Sequence, residues 1–347
     1  MSAVTAMSGG GQSTGFAIGT PLPACVFCGA QEAFTSVPFG VPSLPEGVTW
    51  PASHCFQGKT IAICGSCGGG FVREIMRDED ISAFYASIYD ARHTADAPTV
   101  DSLNEVYPRF FAQTLYLKSI IDLWDGMRIL EVGPNFVSAL PALSLFCRPR
   151  YYYFDQLDSK IIAHYGGQRL GAYADGREIV RRLGEHSLDL IYASHSLEHV
   201  NPFSLEELFR GVALAVAPGG HVFAEVPDDL AINLLIPPHT LFFTEASLRR
   251  LFGRHGLEIV DFGRWGTRVD GARSDDRAAG RPISAAPARS SIRRAIKGTV
   301  RKMVFATPPL ARRVRPLLLQ RAVLKALRDI PTPYEPTPYF RVIARKP

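Results

Sequence analysis

The stretch Met127–Leu140, MRILEVGPNFVSAL, decides the fold of this chain. It opens with a short apolar run, RILEV at 128–132, which has the length and composition of a buried parallel strand. The run carries Glu131 near its end and passes into a glycine turn at Gly133, with Pro134 directly after it. Such a turn brings backbone N–H groups to the carboxyl edge of a sheet, where doubly wound folds bind nucleotide-like ligands. The stretch therefore predicts the first strand and the ligand-binding edge of an α/β sheet.

Two later segments place polar groups where a sheet of this kind needs them. A second apolar strand, Tyr151–Phe154, ends at Asp155, and an acid at the end of the second strand commonly binds a ribose diol. The turn at Asp175 is suited to the edge of an adenine ring. A purely structural role, in a turn or at a helix cap, is the alternative for Glu131, Asp155 and Asp175. Their joint order along the chain favours contact with a cofactor.

The remaining strands and helices follow from periodicity and from breakers. Ser204 to Glu207 has the pattern of a capping box, Thr244 that of a helix N-cap, and Gly256 that of a helix end. The predicted strands are the first half of Ser187–Val200, then His221–Pro227 after a Pro-Gly-Gly turn, Leu257–Phe262 and Tyr339–Arg345, and a further helix is predicted over Pro108–Trp124.

Four motifs occur in a fixed order: LEVG at 130–133, Asp155, SxxLEHV at 194–200 and PGG at 218–220. With them the chain resembles class I S-adenosylmethionine (SAM)-dependent methyltransferases of a large bacterial group, over roughly residues 100 to 265 plus the last ten. The resemblance implies a Rossmann-like α/β fold whose seven-stranded sheet has an antiparallel last strand between strands five and six. It also implies SAM as cofactor.

The resemblance assigns cofactor contacts and catalytic candidates to positions of this sequence. The histidines are expected near the methyl group because an in-line displacement needs alignment and, for some acceptors, removal of a proton. A structural hydrogen-bonding role is the alternative for His199. The implied cofactor-binding residues are Glu131, Gly133, Asn135, Asp155, Asp175 and Ser194, and the catalytic candidates are His195, His239 and His199.

The sequence departs from the family's pattern in two places. The family writes E-x-G-x-G-x-G, whereas Pro134, Asn135 and Phe136 follow Gly133 here. Side chains at these positions would crowd the methionine end of the cofactor. In sugar C-methyltransferases the region of His239 reads Y-H-E-H, and here it reads Pro-Pro-His-Thr. These departures leave open a rival hypothesis: a non-catalytic protein of the same fold that binds a membrane surface or nucleic acid.

Four of the six cysteines form two C-x-x-C pairs, Cys25/Cys28 and Cys64/Cys67, each followed by a glycine. Two such pairs can hold one tetrahedral Zn²⁺ through four thiolates. The 35 residues between the pairs exceed the usual ribbon spacing and predict an inserted loop. Disulfides or unrelated thiols are the alternatives, with His54 and Cys55 as substitute ligands. The module resembles the cysteine-rich domain that precedes many such methyltransferases, where zinc is structural.

Length and composition predict several units in the chain of 347 residues. No run of about 18 apolar residues occurs, and the start of the chain is a poor signal peptide, so a cytoplasmic location is expected. The predicted units are a disordered tail (1–20), a zinc-ribbon-like module (21–75), a connector (76–107), the methyltransferase core (108–270 and 336–347) and a basic helical insertion (271–335).

The net charge of +5 is unevenly distributed, since residues 271–330 hold 15 Lys or Arg against three Asp. The amphipathic stretches within 291–330 have three possible uses: packing on the core, peripheral contact with an anionic membrane, or binding of an acidic substrate. For the enzyme, nucleic acid is not an expected partner. The resemblance to the methyltransferase family implies methyl transfer to a small-molecule acceptor, a sugar or another specialised metabolite.

Overall fold

A computed structural model describes residues 18–31, 33–40, 55–84, 100–134, 138–155, 162–163, 165–172, 174–265 and 339–347, with the backbone alone at 100–108 and 265. The predictions made for Asn135, His54, residues 1–17 and the basic segment 271–335 lie outside these ranges. At the start of the described chain, Gly19 N–H donates to Ile75 O and Ile75 N–H donates to Thr20 O, both at 3.0 Å.

The described secondary structure alternates strands and helices after a β-rich start. The strands are β1 (Phe34–Pro38), β2 (Thr60–Cys64), β3 (Gly70–Val72), β4 (Arg128–Val132), β5 (Arg150–Phe154), β6 (Gln168–Gly171), β7 (Leu188–Ser194), β8 (Val216–Pro227), β9 (Leu241–Phe242), β10 (Glu258–Trp265) and β11 (Tyr339–Arg345). The helices are α1 (Asp78–Phe84), α2 (Val100–Ile120), α3 (Leu140–Leu143), α4 (Gly176–Leu183), α5 (Leu205–Ala215) and α6 (Glu245–Arg254). Short 3-10 turns occupy Leu197–His199 and Pro202–Ser204.

The main sheet has seven strands in the order β10-β11-β8-β7-β4-β5-β6. Strands β4 to β8 pair in parallel, and β11 pairs antiparallel with both β8 and β10. The predicted fold class and the antiparallel last strand are thereby confirmed. The strand order reverses at β4, so the carboxyl ends of β4 and β7 flank the crevice where such sheets bind ligands.

Two predictions about helix starts met different outcomes. Thr244 caps α6 as expected, because its hydroxyl accepts from Ser247 N–H at 3.1 Å and Ser247 Oγ accepts from Thr244 N–H at 2.9 Å. The capping box at Ser204 is wrong. Ser204 Oγ donates to the Asp78 carboxylate at 3.1 Å, and its side chain makes no cap bond to α5. A partner 126 residues away in the sequence competes for the hydroxyl.

A second, four-stranded sheet has the order β1-β2-β3-β9. Its last strand is the two-residue segment Leu241–Phe242, which lies between β8 and α6 and pairs antiparallel with Gly70 and Phe71. One buried apolar cluster continues from Phe27 and Phe71 into Phe243 of the methyltransferase region. The cysteine-rich part and the methyltransferase region therefore share both a sheet and a core.

Helices α4 and α5 meet at a contact that only glycine permits. A Cβ built on Gly211 would lie 2.1 Å from Gly176 O, and one built on Gly176 would lie 1.9 Å from Glu207 O. This close approach sets α5 against α4 on one face of the main sheet. Within the described ranges, no helix is long and apolar enough to cross a membrane.

Candidate active site

The four predicted cysteines converge in the structure. Cys25 Sγ lies 3.7 Å from Cys67 Sγ, and Cys28 Sγ lies 3.7 Å from Cys64 Sγ. A disulfide would need about 2 Å. A tetrahedron of thiolates at the usual Zn–S distance of about 2.3 Å has S···S edges of about 3.8 Å. The cluster thus has the spacing of a zinc site and not that of a disulfide.

The surroundings of the cluster tie it to the other sheet strands. The hydrogen bond between Cys67 and Cys25 lowers the pKa of the Cys25 thiol to about 5 and raises the pKa of the Cys67 thiol well above its usual range. Thr244 Oγ1 donates to Cys67 O at 2.7 Å. Val72 N–H donates to Thr240 O at 2.9 Å. The backbone on both sides of β9 is therefore held by the module that carries the cysteines.

At the end of β4, Glu131 is 1% exposed and anchors the segment that leads into α3. Its carboxylate accepts from Tyr151 Oη at 2.6 Å, from Ser138 Oγ at 2.5 Å and from Ala139 N–H at 3.2 Å. Burial outweighs these bonds and raises its pKa to about 7. These bonds fix the end of β4 to the segment that leads into α3.

Gly133 and Asp155 stand at the carboxyl edge where the sequence predicts cofactor contacts. Gly133 has φ +66°, and a Cβ there would lie 2.8 Å from Ser196 Cβ, so this turn packs closely on the loop after β7. Asp155 directly follows β5 and is 6% exposed. Arg169 Nη2 donates to its carbonyl oxygen at 2.8 Å and fixes the backbone of that turn.

The two remaining predicted contacts have protein partners of their own. Asp175 is the N-cap of α4, and its carboxylate accepts from Glu178 N–H at 2.5 Å. Ser194 Oγ accepts from Gln113 Nε2 at 2.8 Å. Gln113 Oε1 in turn accepts from Tyr192 Oη. Gln113 is a buried residue of α2 that the sequence analysis did not identify, and it secures the end of β7.

His195 follows β7 in a left-handed conformation, with φ +51°. This conformation is uncommon for a residue with a side chain and clusters at functional sites. Its Nε2 lies 3.1 Å from Glu225 Oε1, and its Nδ1 lies 3.4 Å from Glu198 Oε1. Burial alone would lower its pKa, but the two carboxylates outweigh burial and raise it above 6.5. The ring of Tyr339 packs edge-on against the imidazole at 4.8 Å between centroids.

Behind His195, Glu225 is fully buried in β8 and is paired with Arg341 of β11. Arg341 Nε donates to Glu225 Oε2 at 2.5 Å. The charge of Arg341 overcomes burial and holds the pKa of Glu225 well below its usual range. Glu225 is thus a fixed carboxylate that orients His195.

Glu198 is the centre of the histidine cluster. It is 0% exposed, and neither of its oxygens has a hydrogen-bond partner within the described residues. Burial would raise its pKa, yet contact with His195 and the nearby His199 and His239 lower it to about 2. The carboxylate therefore stays ionised although it is itself fully buried.

His199 and His239 lie side by side, with ring centroids 4.8 Å apart. Asp229 Oδ2 lies 2.6 Å from His239 Nδ1, and Pro238 O lies 3.5 Å from His199 Nδ1. Asp229 outweighs burial and raises the pKa of His239 above 6.5, whereas burial lowers that of His199 to about 4. The structure therefore brings all three predicted histidines together and shifts their pKa values in different directions.

Sequence reasoning missed the residues that hold these histidines. Glu225 and Asp229 were assigned only to a strand and to an irregular loop, and Arg341 to the last strand. A weak signal existed, since charged residues inside apolar strands need partners. The sequence offers no means of pairing Arg341 with a carboxylate 116 residues earlier.

The sheet order, with its antiparallel last strand, is that of the Rossmann-like methyltransferase fold. In agreement, residues 109–261 match a family model described as a methyltransferase domain.

Known proteins with similarity to the chain include C-methyltransferase NovU of Streptomyces niveus, at 21% identity over 272 residues, or 70% of this chain and 57% of that protein. The chain thus spans little more than half the length of this relative. Phosphoethanolamine N-methyltransferase 2 of Haemonchus contortus aligns over 80% of this chain and 62% of its own, at 12% identity and TM-score 0.43. A SAM-dependent methyltransferase of Archaeoglobus fulgidus aligns over 76% and 100%, at 14% identity and TM-score 0.42.

Proposed function

We propose that this protein transfers a methyl group from SAM to a small-molecule acceptor, a sugar or another specialised metabolite. One observation carries the proposal. Three histidines gather around the buried carboxylate of Glu198 at the carboxyl edge of a methyltransferase sheet. A binding module of the same fold would gain nothing from an ionised carboxylate held out of water, because such a group is costly to bury.

The residues at the crevice fit SAM. Asp155 places a carboxylate at the end of β5, where it can accept hydrogen bonds from a ribose diol. Gly133 leaves room at the turn after β4, where a side chain would strike Ser196. Bound SAM supplies an electrophilic methyl group to the acceptor's nucleophile. Glu131 and Asp175 act from behind by fixing the segments around the crevice, and Ser194 does so at the end of β7.

His195 is the group to which we assign proton uptake from the acceptor. With its Nε2 proton donated to Glu225, the imidazole carries its lone pair on Nδ1. When Nδ1 takes a proton, the imidazolium lies 3.4 Å from Glu198 and is stabilised by two carboxylates. The two carboxylates raise the pKa of His195 and so stabilise the protonated ring that forms when it acts as a base. The arrangement repeats the general logic of a base oriented by a buried carboxylate.

The cysteine cluster is proposed to hold one structural zinc ion. Two S···S distances of 3.7 Å, with all four Sγ atoms within 4.8 Å of one another, match the edges of a tetrahedral zinc site. Such a site has no open position for a substrate, so its role is to hold the fold. Peripheral membrane contact through residues 291–330 and a cytoplasmic location remain predictions, and co-sedimentation with anionic and neutral vesicles tests the former.

Calorimetric titration with S-adenosylhomocysteine tests the proposal. We expect micromolar binding, and Asp155→Ala should weaken it about ten- to a hundredfold because charge-assisted hydrogen bonds to the ribose are lost. Asp125→Ala is the matched control, since Asp125 accepts only from the exposed Arg148 N–H. Silence at millimolar ligand would support the non-catalytic alternative instead.

A second measurement follows transfer of labelled methyl groups to a panel of sugars and nucleotide-linked sugars. His195→Gln should bind S-adenosylhomocysteine as the unmodified protein does, and should lose about a hundred- to ten-thousandfold in transfer rate. Full activity of this variant would remove His195 from the mechanism.

A further inference from the structure

Three residues of the histidine cluster are potential ligands of a metal ion, a feature that the proposed function does not explain. One ligand atom each of Glu198, His199 and His239 lies within 4.8 Å of the others. Glu198 Oε1 is 4.0 Å from His199 Nε2. Within the described part of the chain, this is the one such group besides the four cysteines.

The outer partners of both histidines fix the tautomer that a metal requires. Asp229 lies at Nδ1 of His239, and the carbonyl of Pro238 lies at Nδ1 of His199. A neutral imidazole that donates its Nδ1 proton to a carboxylate or a carbonyl carries its lone pair on Nε2. Metal-binding histidines commonly have such outer partners, which orient the ring and increase its basicity.

Glu198 supplies the second, independent observation. Both of its oxygens are buried and lack a hydrogen-bond partner among the described residues, although a carboxylate has about four lone-pair sites to satisfy. Its 3.4 Å contact with His195 Nδ1 is an ion-pair distance and does not fill these sites. A cation within the cluster would satisfy both oxygens.

The backbones that carry the ligands are joined to each other. Thr240 N–H donates to Glu198 O at 2.7 Å, and Thr240 Oγ1 donates to Val200 O at 2.6 Å. These bonds hold the turn Leu197–His199 against the segment that contains His239. Metal–ligand bonds of about 2.1 Å place neighbouring ligand atoms about 3.0 to 3.4 Å apart, so side-chain rotations on the order of 1 Å would close the site.

From this geometry we propose that Glu198, His199 and His239 bind one divalent transition-metal ion, separate from the ion of the cysteine cluster. Two imidazoles and one carboxylate suit Zn²⁺, Mn²⁺, Fe²⁺ or Co²⁺ and leave coordination positions open. The next step rests on the proposed function. The open coordination positions bind an oxygen of the acceptor, preferably two neighbouring oxygens as in a diol or a hydroxy ketone. The ion lowers the pKa of the bound hydroxyl. His195 keeps the role of proton acceptor.

The test uses the full chain with zinc in the cysteine cluster and adds Co²⁺ as the probe, in buffer without chelators. We expect one equivalent of Co²⁺ to bind, with visible absorption bands and without the charge-transfer band that thiolate ligation of cobalt would produce. Glu198→Gln should weaken binding at least tenfold. Asp229→Asn should weaken it about ten- to a hundredfold, since outer partners of ligands have effects of that size.

His221→Gln is the matched control. His221 lies on β8 beside Leu190 of β7, four residues before Glu225, and it is not one of the three proposed ligands. Its Co²⁺ binding should equal that of the unmodified protein. Far-ultraviolet circular dichroism checks that each variant is folded. Equal binding by Glu198→Gln and the unmodified protein would refute the proposal, as would no binding at millimolar Co²⁺.

Titration of the same samples with S-adenosylhomocysteine separates the two hypotheses. A protein that binds S-adenosylhomocysteine and ignores Co²⁺ refutes the metal site and leaves the methyltransferase proposal intact. A protein that binds Co²⁺ at these residues and ignores S-adenosylhomocysteine supports the metal site and contradicts the proposed activity.

Discussion

Glu131 allows a direct test of how burial affects stability, because its ionisation should lower the free energy of unfolding as pH rises. The side chain is 1% exposed, and burial raises its pKa from 4.5 to about 7. A group whose pKa is raised by folding contributes its full stability below its unfolded pKa. That contribution is lost as pH rises through the folded value.

The magnitude follows from the size of the shift. Each pKa unit corresponds to about 1.4 kcal/mol, so a rise of this size represents about 3 kcal/mol. Glu131→Gln keeps the shape of the protonated acid and cannot ionise. The unfolding free energy of the unmodified protein should therefore fall, relative to that of the variant, by about 3 kcal/mol between pH 4.5 and pH 8.

Urea unfolding followed by circular dichroism at a series of pH values measures this difference. Groups that titrate in both proteins, such as the histidines and the cysteines, cancel in the comparison. Asp189→Asn is the control, since pairing with Arg128 lowers the pKa of Asp189 and its effect lies at acid pH. Parallel curves for Glu131→Gln and the unmodified protein would show that the carboxyl group is not buried as described.

Three further predictions concern packing, charge and metal. In thermal unfolding, Gly211→Ala should destabilise the protein by several kcal/mol, because a Cβ there would lie 2.1 Å from the backbone oxygen of Gly176. The control Gly253→Ala, in α6, should stabilise the protein by about 0.5 to 1 kcal/mol, because a Cβ there has no atom within 4 Å. Glu225→Gln should cost about 3 to 5 kcal/mol in urea unfolding because it removes the carboxylate that pairs with the buried Arg341. Replacing Glu225 by Leu together with Arg341 by Met should recover much of that loss. Cys64→Ser should release the proposed zinc, measured by elemental analysis, and lower the melting temperature, and a metal-free protein with an unchanged melt would contradict the zinc site.

Much of the main sheet could be predicted because its signals are local. Each of β4, β5 and β7 is a mostly apolar run that is followed by a breaker or a polar residue, as expected for strands buried on both faces. The order of these runs placed Asp155 and His195 at the same edge of the sheet. The cysteine cluster could also be predicted from local signals, because two short C-x-x-C motifs give both the type of ligand and its spacing.

The rest depended on contacts between residues far apart in the sequence. A two-residue strand such as β9 has no periodicity to detect, and its pairing with β3 exists only because the cysteine-rich part folds against the loop before α6. Likewise, the capping pattern at Ser204 was outcompeted by Asp78, a partner that tertiary packing brings within reach.

The sequence by itself determined which residue types stand at the ends of the strands, because strand boundaries follow from hydrophobicity and from breakers. Only the tertiary structure decided what those residues do. It brought Ala139 N–H to Glu131 and made Asp175 the N-cap of α4, and it enclosed Glu198 among histidines without a hydrogen-bond donor from the described residues. The physical reason is that the charge and the hydrogen-bonding capacity of a buried group are fixed by its neighbours in space, and these come from β7, β8, β11 and the segment before β9 together.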